Sequence, residues 1–195
     1  MPERIPASLL AVLTDLVEWL DSAHAPAMVI GGVAASLLGR PRLTQDIDAL
    51  VLLPESGWPD LLAAADRHGI VPRIADALGF ARRSRMLLLT HSASAIDIDV
   101  SLGGLAFEEQ AVARSQIHEV GGIKMQLPRV EDLLVMKAFA HRPKDMDDID
   151  GLLNAHPNAD LEFVRKWLRE FSAALSRPDL LEDFEKTVAR RHAKP

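Results

Sequence analysis

Two acidic triplets constrain this chain more than any other feature. Asp46-Ile47-Asp48 runs into the apolar stretch Ala49-Leu50-Val51, and Asp97-Ile98-Asp99 lies between Ile96 and Val100. Both runs read as strands. Side chains alternate across a strand, so each triplet presents both of its carboxylates on one face. Should the two strands lie side by side, four carboxylates converge, at a cost of several kcal/mol in repulsion and desolvation unless cations neutralise them. Mg²⁺ suits that role because it takes oxygen ligands, commonly one or two carboxylates plus substrate phosphates. One triplet alone could equally be a strand edge dipping into water, or a turn residue followed by a helix cap. Two of them, with Gly31-Gly32 thirteen residues before the first, favour a functional site.

Around these triplets the chain alternates helical and extended segments. Ser8 to Ser22 has Leu9, Leu13, Leu16, Val17 and Leu20 at helical spacing, with Ser8 as the expected cap. A strand over 27–30 ends in Gly31-Gly32 and gives way to a helix over 33–38, then a strand over 47–53 that stops at Pro54. A helix over 57–68 follows. Strands over 86–90 and 95–100 form a hairpin whose turn holds His91, expected to be exposed. The run Arg82, Arg83, Arg85 reads as a solvated loop. After a short helix over 107–114, strands 117–120 and 123–127 form a hairpin around Gly121-Gly122, which supplies the positive φ of a tight turn. From Arg129 onward the pattern is helical, with breaks near Pro143, His156-Pro157-Asn158 and Arg177-Pro178.

The expected fold class is therefore α/β (α+β): a small mixed β-sheet flanked by helices over residues 1–127, with a C-terminal helical tail over 128–195. At 195 residues, 48% hydrophobic and 26% charged, the chain can bury a core. Its net charge of -6 argues against a general nucleic-acid coat or an anionic-membrane binder. Without cysteine it has no disulfides, thiolate metal sites or cysteine nucleophiles. The seven histidines show no paired spacing that suits zinc. No apolar run approaches the ~18 residues that cross a bilayer, and the first residues lack a signal-peptide layout, so a cytoplasmic protein is expected.

Taken together, Ile30-Gly31-Gly32, Asp46-Ile47-Asp48 and a later strand carboxylate resemble the motif of the DNA polymerase β-like nucleotidyltransferase superfamily. The pattern Arg42-x-Thr44-x-Asp46-x-Asp48 is similar to that of its AbiEii-type branch, as is a second cluster downstream. There, Glu131-Asp132-Leu133 and Lys137 lie on an amphipathic helix with the apolar stripe Val130, Leu133, Leu134, Met136 and Phe139. Arg142, Lys144, Asp145 and Asp148 open the next helix. By residue pattern alone that segment could be a solvated helix–turn–helix with ordinary capping acids.

The resemblance implies a nucleotidyltransferase fold whose helical region completes the active-site cleft. It implies transfer of a nucleoside monophosphate from a nucleoside triphosphate to an acceptor hydroxyl, with two Mg²⁺ ions held by Asp46, Asp48 and a third acid. The branch pattern, with Phe107-Glu108 downstream, favours Asp99 as the third; Asp97 then assists or only hydrogen-bonds nearby. Gly31, Gly32, Arg42 and Thr44 would bind nucleotide, Lys137 the triphosphate, and Arg142 or Lys144 a phosphate or the acceptor. Asp145 would be a base or an organiser of those cations. The AbiEii likeness implies a toxin-like enzyme with a cognate antitoxin, acting on tRNA or protein. Small antibiotic-modifying nucleotidyltransferases share the core motif. A local groove of Arg40, Arg42, Arg73, Arg82, Lys137 and Arg142 could serve an RNA acceptor. The alternatives are a non-catalytic nucleotide- or partner-binding module that retains the fold, and a purely structural interaction protein.

Overall fold

A run of short apolar strands separated by amphipathic helices can bury its strands only by gathering them into one sheet with helices laid on it. A computed structural model describes residues 6–192, and in it these divide into two compact units: 6–33 with 43–127, and 34–42 with 128–192.

In the first unit α1 (Ala7–Ser22) precedes β1 (Ala27–Ile30), and the chain enters α2 (Gly31–Leu38), which continues into the second unit. It returns as β2 (Asp46–Val51), α3 (Trp58–Ala65), β3 (Ile70–Pro72), α4 (Ala77–Ser84), β4 (Met86–His91), β5 (Ile96–Leu102) and α5 (Ala106–Ala113). The hairpin β6 (Gln116–Val120) and β7 (Ile123–Leu127) closes the unit. The main sheet has the order β1-β2-β5-β4-β3, antiparallel throughout except for the central parallel pair β2 and β5.

Alternation places Ile47, Ile98, Val100, Leu87 and Leu89 in the core. α1 buries Val12, Leu13, Leu16 and Trp19, and the indole N–H of Trp19 donates to Leu61 O of α3 at 2.9 Å. α1 starts one residue before the expected Ser8 cap. Its N-cap is Pro6, which makes no side-chain capping bond.

Three further expectations give way. A strand and a helix, β3 and α4, occupy a stretch given no element by the sequence pattern apart from the loop expected at the arginine run. Asp76 caps α4 by accepting the Gly79 N–H at 2.9 Å. The arginine run is the end of that helix: Arg82 pairs with Glu55, and Arg85 donates to the carbonyls of Leu102 and Gly103 at 2.7 and 2.5 Å. His91 is buried at the end of β4, with Nε2 2.9 Å from Asp15 Oδ2 and Nδ1 2.8 Å from Ser94 Oγ.

The second unit holds the rest of α2, then α6 (Val130–Ala140), α7 (Pro143–Ala155), α8 (Leu161–Leu175) and α9 (Asp179–His192). Leu133, Leu134, Ile149, Leu152, Trp167, Leu168 and Phe184 form its core. The backbone after α2 approaches α7 closely: a Cβ on Gly39 would lie 3.1 Å from Leu152 N, and one on Gly151 would lie 3.3 Å from Arg40 N. The His156 ring N–H donates to Leu38 O at 2.6 Å and ties the same segment down. Among the described residues no helix is long and apolar enough to cross a membrane.

Gly31 joins β1 to α2 at φ +66°, and a Cβ there would sit 1.8 Å from Asp48 Oδ2. Gly122 has φ +86° with nothing near its Cβ position. A left-handed non-glycine residue costs about 1–2 kcal/mol. Gly122→Ala should cost about that much, and Gly31→Ala clearly more, because it adds the collision. Thermal melts of the two variants measure the difference.

Candidate functional site

The parallel register of β2 and β5 brings both acidic triplets together: Asp46 pairs with Asp97 and Asp48 with Asp99. In-register neighbours share a face, so all four carboxylates lie on the same side of the sheet. The row that contains Asp48 and Asp99 extends in both directions. Ile30 of β1, just before Gly31, pairs with Asp48, and Leu88 of β4 pairs with Asp99. Beyond Leu88, the backbone N–H of Arg73, one residue past β3, donates to Leu88 O at 2.9 Å.

From that position the Arg73 side chain reaches back to the acids. Its guanidinium donates to Asp97 Oδ2 at 2.6 Å and, through its other terminal nitrogen, to Asp99 Oδ1. Asp99 is held above the usual carboxylate range by burial, which Arg73 opposes and the charges of Asp48, Asp46 and Asp97 reinforce. Two residues before β2 begins, the Thr44 hydroxyl lies 3.0 Å from Asp46 Oδ1 and orients that carboxylate. The Asp48 carboxylate packs directly against the Gly31 backbone, in the place that any side chain there would take.

The donor set suits a hard divalent cation in kind, since all four acids offer oxygen and the row is built by backbone register. It is not closed around one. Among the described residues no three acidic or imidazole side chains are grouped closely enough to hold a metal ion.

The second cluster lies within the second unit and is a chain of ion pairs. α7 opens with Arg142 as N-cap and Pro143 next, a favoured start because proline lacks an N–H and presets φ. Asp145 accepts the Arg142 backbone N–H at 3.1 Å and its Nε–H at 2.7 Å. Asp148 follows at i+3 on the same face. Lys137 of α6, only 2% exposed, puts its ammonium 3.2 Å from Asp145 Oδ1 and 2.8 Å from Asp148 Oδ2. Arg42 completes the chain with two bonds to Asp148, at 2.7 and 3.0 Å. Burial works against both carboxylates. The hydrogen bonds from Arg142 and Lys137 to Asp145, and from Arg42 and Lys137 to Asp148, outweigh it and hold both below their ordinary range. A cleft of about 120 Å³ beside this chain is lined by Arg40, Arg42, Lys144, Asp147 and Asp148.

The residues singled out by sequence therefore fall into two groups. Asp46, Asp48, Asp97, Asp99, Thr44, Gly31 and Gly32 belong to the first unit. Arg42, Lys137, Arg142, Lys144 and Asp145 belong to the second. Of the six cations expected to line a groove, five already have acidic partners: Arg42, Arg73, Arg82, Lys137 and Arg142. Arg73 and Asp148 carry more of the electrostatics than the sequence suggested. For Asp148 the signal was its i+3 spacing from Asp145. For Arg73 there was none while β3 went unread.

The fold built around these acids is the nucleotidyltransferase fold. The antibiotic-resistance factor ANT(2'')-Ia shares it at a TM-score of 0.60 and 15% identity, over 88% of this chain and 95% of that one. An antigenic nucleotidyltransferase-like protein from Paracoccidioides brasiliensis does so at 0.55 and 14%, over 94% and 95%. The lincosamide antibiotic adenylyltransferase LnuA, bound to lincomycin, does so at 0.51 and 13%, over 76% and 96%. No curated protein matches the chain in sequence. A family model described as nucleotidyltransferase of unknown function (DUF6036) matches residues 7–179, and the chain belongs to that family.

The ion-pair chain sets a pH dependence. The folded-state values of Asp145 and Asp148 are lowered, so their stabilisation is present above the ordinary carboxylate value of about 3.9 and is lost as pH falls through the lowered values. Lys137→Met removes the buried cation that Asp145 and Asp148 share, leaving each with its arginine alone, and should cost about 3 kcal/mol at neutral pH. Asp148→Asn should also destabilise, and should flatten part of the acid limb. Denaturant titrations from pH 7 to about 3 read both effects.

Proposed function

We propose that this protein transfers a nucleoside monophosphate from a nucleoside triphosphate to an acceptor hydroxyl. The observation that carries the reading is the register of β2 and β5, which sets Asp48 beside Asp99 and Asp46 beside Asp97 directly after the Gly31 turn. A row of acids on a sheet face is costly to keep unless its charge is used.

Gly31 lets the Asp48 carboxylate sit against the backbone at the start of α2, where Gly31 and Gly32 would meet a phosphate, and Thr44 fixes the Asp46 carboxylate in place. Asp46, Asp48 and Asp99 would hold the divalent ions, with Asp97 at hand. When bound, such ions lower the pKa of an attacking hydroxyl and neutralise charge on the phosphates. Of the two roles open to Asp145, the geometry supports the organiser: it is fully buried, ionised, and saturated by Arg142 and Lys137. Lys137, equally buried, acts in this arrangement by holding Asp148, which in turn aims Arg42. Arg42 and Lys144 line the cleft beside Asp148 and are the cations of that unit best placed for phosphate.

For the acceptor, two classes are open. The toxin-like reading, with tRNA or protein as acceptor and a cognate antitoxin, rests on the Arg42, Thr44, Asp46, Asp48 pattern and the α6–α7 motif. A small hydroxyl-bearing molecule is supported by fold likeness to the antibiotic-resistance factor ANT(2'')-Ia and the lincosamide antibiotic adenylyltransferase LnuA.

The test is transfer of label from α-labelled nucleoside triphosphates, with Mg²⁺, to tRNA, cell protein and a panel of small polyols and aminoglycosides. Asp48→Asn should lower transfer at least about 100-fold, the scale of losing one electrostatic clamp, while leaving the melting temperature unchanged or raised. Nucleotide binding without transfer to any acceptor would instead favour the non-catalytic module.

A further inference from the structure

Arg73 stands out in the first unit because its guanidinium occupies the place where a cation is wanted. It arrives from the far side of β4, across Leu88, and bonds both Asp97 and Asp99. Its backbone is fixed to β4 by the bond from its N–H to Leu88 O, so only the side chain can move. That side chain is 29% exposed, which leaves it room to swing toward solvent. The oxygens it engages belong to the acids that face Asp46 and Asp48 across the strand pair.

We propose that Arg73 is a resident counter-cation: it neutralises the Asp97–Asp99 pair while no divalent ion is present, and it competes with the ion for entry. The inference rests on reading Asp46, Asp48 and Asp99 as the cation ligands. Two arguments set the states in competition. A guanidinium on Asp99 Oδ1 takes up part of the oxygen donor capacity that a divalent ion held by Asp99 would use. A third positive charge within a few ångströms of a divalent ion is strongly repelled. Arg73 is thus a positioning residue that sets the threshold for metal loading.

The experiment is Mn²⁺ binding without nucleotide, read by the electron-spin signal of free Mn²⁺, with thermal melts in chelator and in Mn²⁺. Arg73→Met should bind Mn²⁺ about fivefold tighter than the parent, the scale of removing one partly exposed ion pair. Its melting temperature should fall in chelator and recover in Mn²⁺, a larger metal-induced rise than in the parent. Arg73→Lys, which keeps a charge but loses the fork that spans two carboxylates, should fall between them and serves if the methionine variant does not fold. Equal or weaker Mn²⁺ binding by both variants overturns the inference and leaves the transferase reading standing. No Mn²⁺ binding by the parent or either variant overturns both.

Discussion

Everything at the carboxylate face depends on one pairing, that of β2 with β5. Each triplet alone is an unremarkable pair of acids half out of the core, with Ile47 or Ile98 buried between them. Parallel pairing in register turns two such pairs into a block of four charges, and the shift of one residue would send two of them into the core. The fold supplies the opposing features in the same row. Gly31 lets the Asp48 carboxylate pack against its backbone, and Arg73 brings charge from the other side of Leu88. The cost of like charges held together is therefore offset locally by a guanidinium, and the room for Asp48 comes from a glycine.

The second unit meets a similar cost differently. Lys137, Asp145 and Asp148 are almost fully buried, where ions are stable only if each has partners. Arg42 and Arg142, at the more exposed ends of the chain, bond the two carboxylates and complete it. Replacing such a chain with apolar residues would often be neutral for stability, so its value lies in fixing a unique arrangement. It pins the segment after α2 to α7, where Gly39 and Gly151 already permit close backbone approach.

Much of this was visible in the residue pattern. The strand over 27–30, both acidic triplets, the two hairpins and the breaks at Pro143 and Arg177-Pro178 all rest on local signals: alternation, glycine pairs, prolines. The errors have physical causes too. β3 is three residues long and ends in proline, too short for alternation to register. α4 is capped by Asp76 but ends in Arg82-Arg83, with Arg85 just beyond, a run that reads as solvent-facing loop. His91 looked like a turn residue because nothing in its neighbourhood of sequence announces Asp15, seventy-six positions away. Lys137 sat correctly on a helix, yet a lysine in an amphipathic pattern suggests exposure. Its burial is possible only because Asp145 and Asp148 come back to it from the next helix.

The parallel pair also carries a cost of topology. An antiparallel neighbour can be reached by a hairpin, as β5 reaches β4, but between β2 and β5 the chain runs through α3, β3, α4 and β4. Contacts of such sequence separation carry a loop-closure penalty that a hairpin avoids. The pairing with that entropic cost is also the one that sets negative charge beside negative charge. Topology and electrostatics weigh on the same six residue pairs.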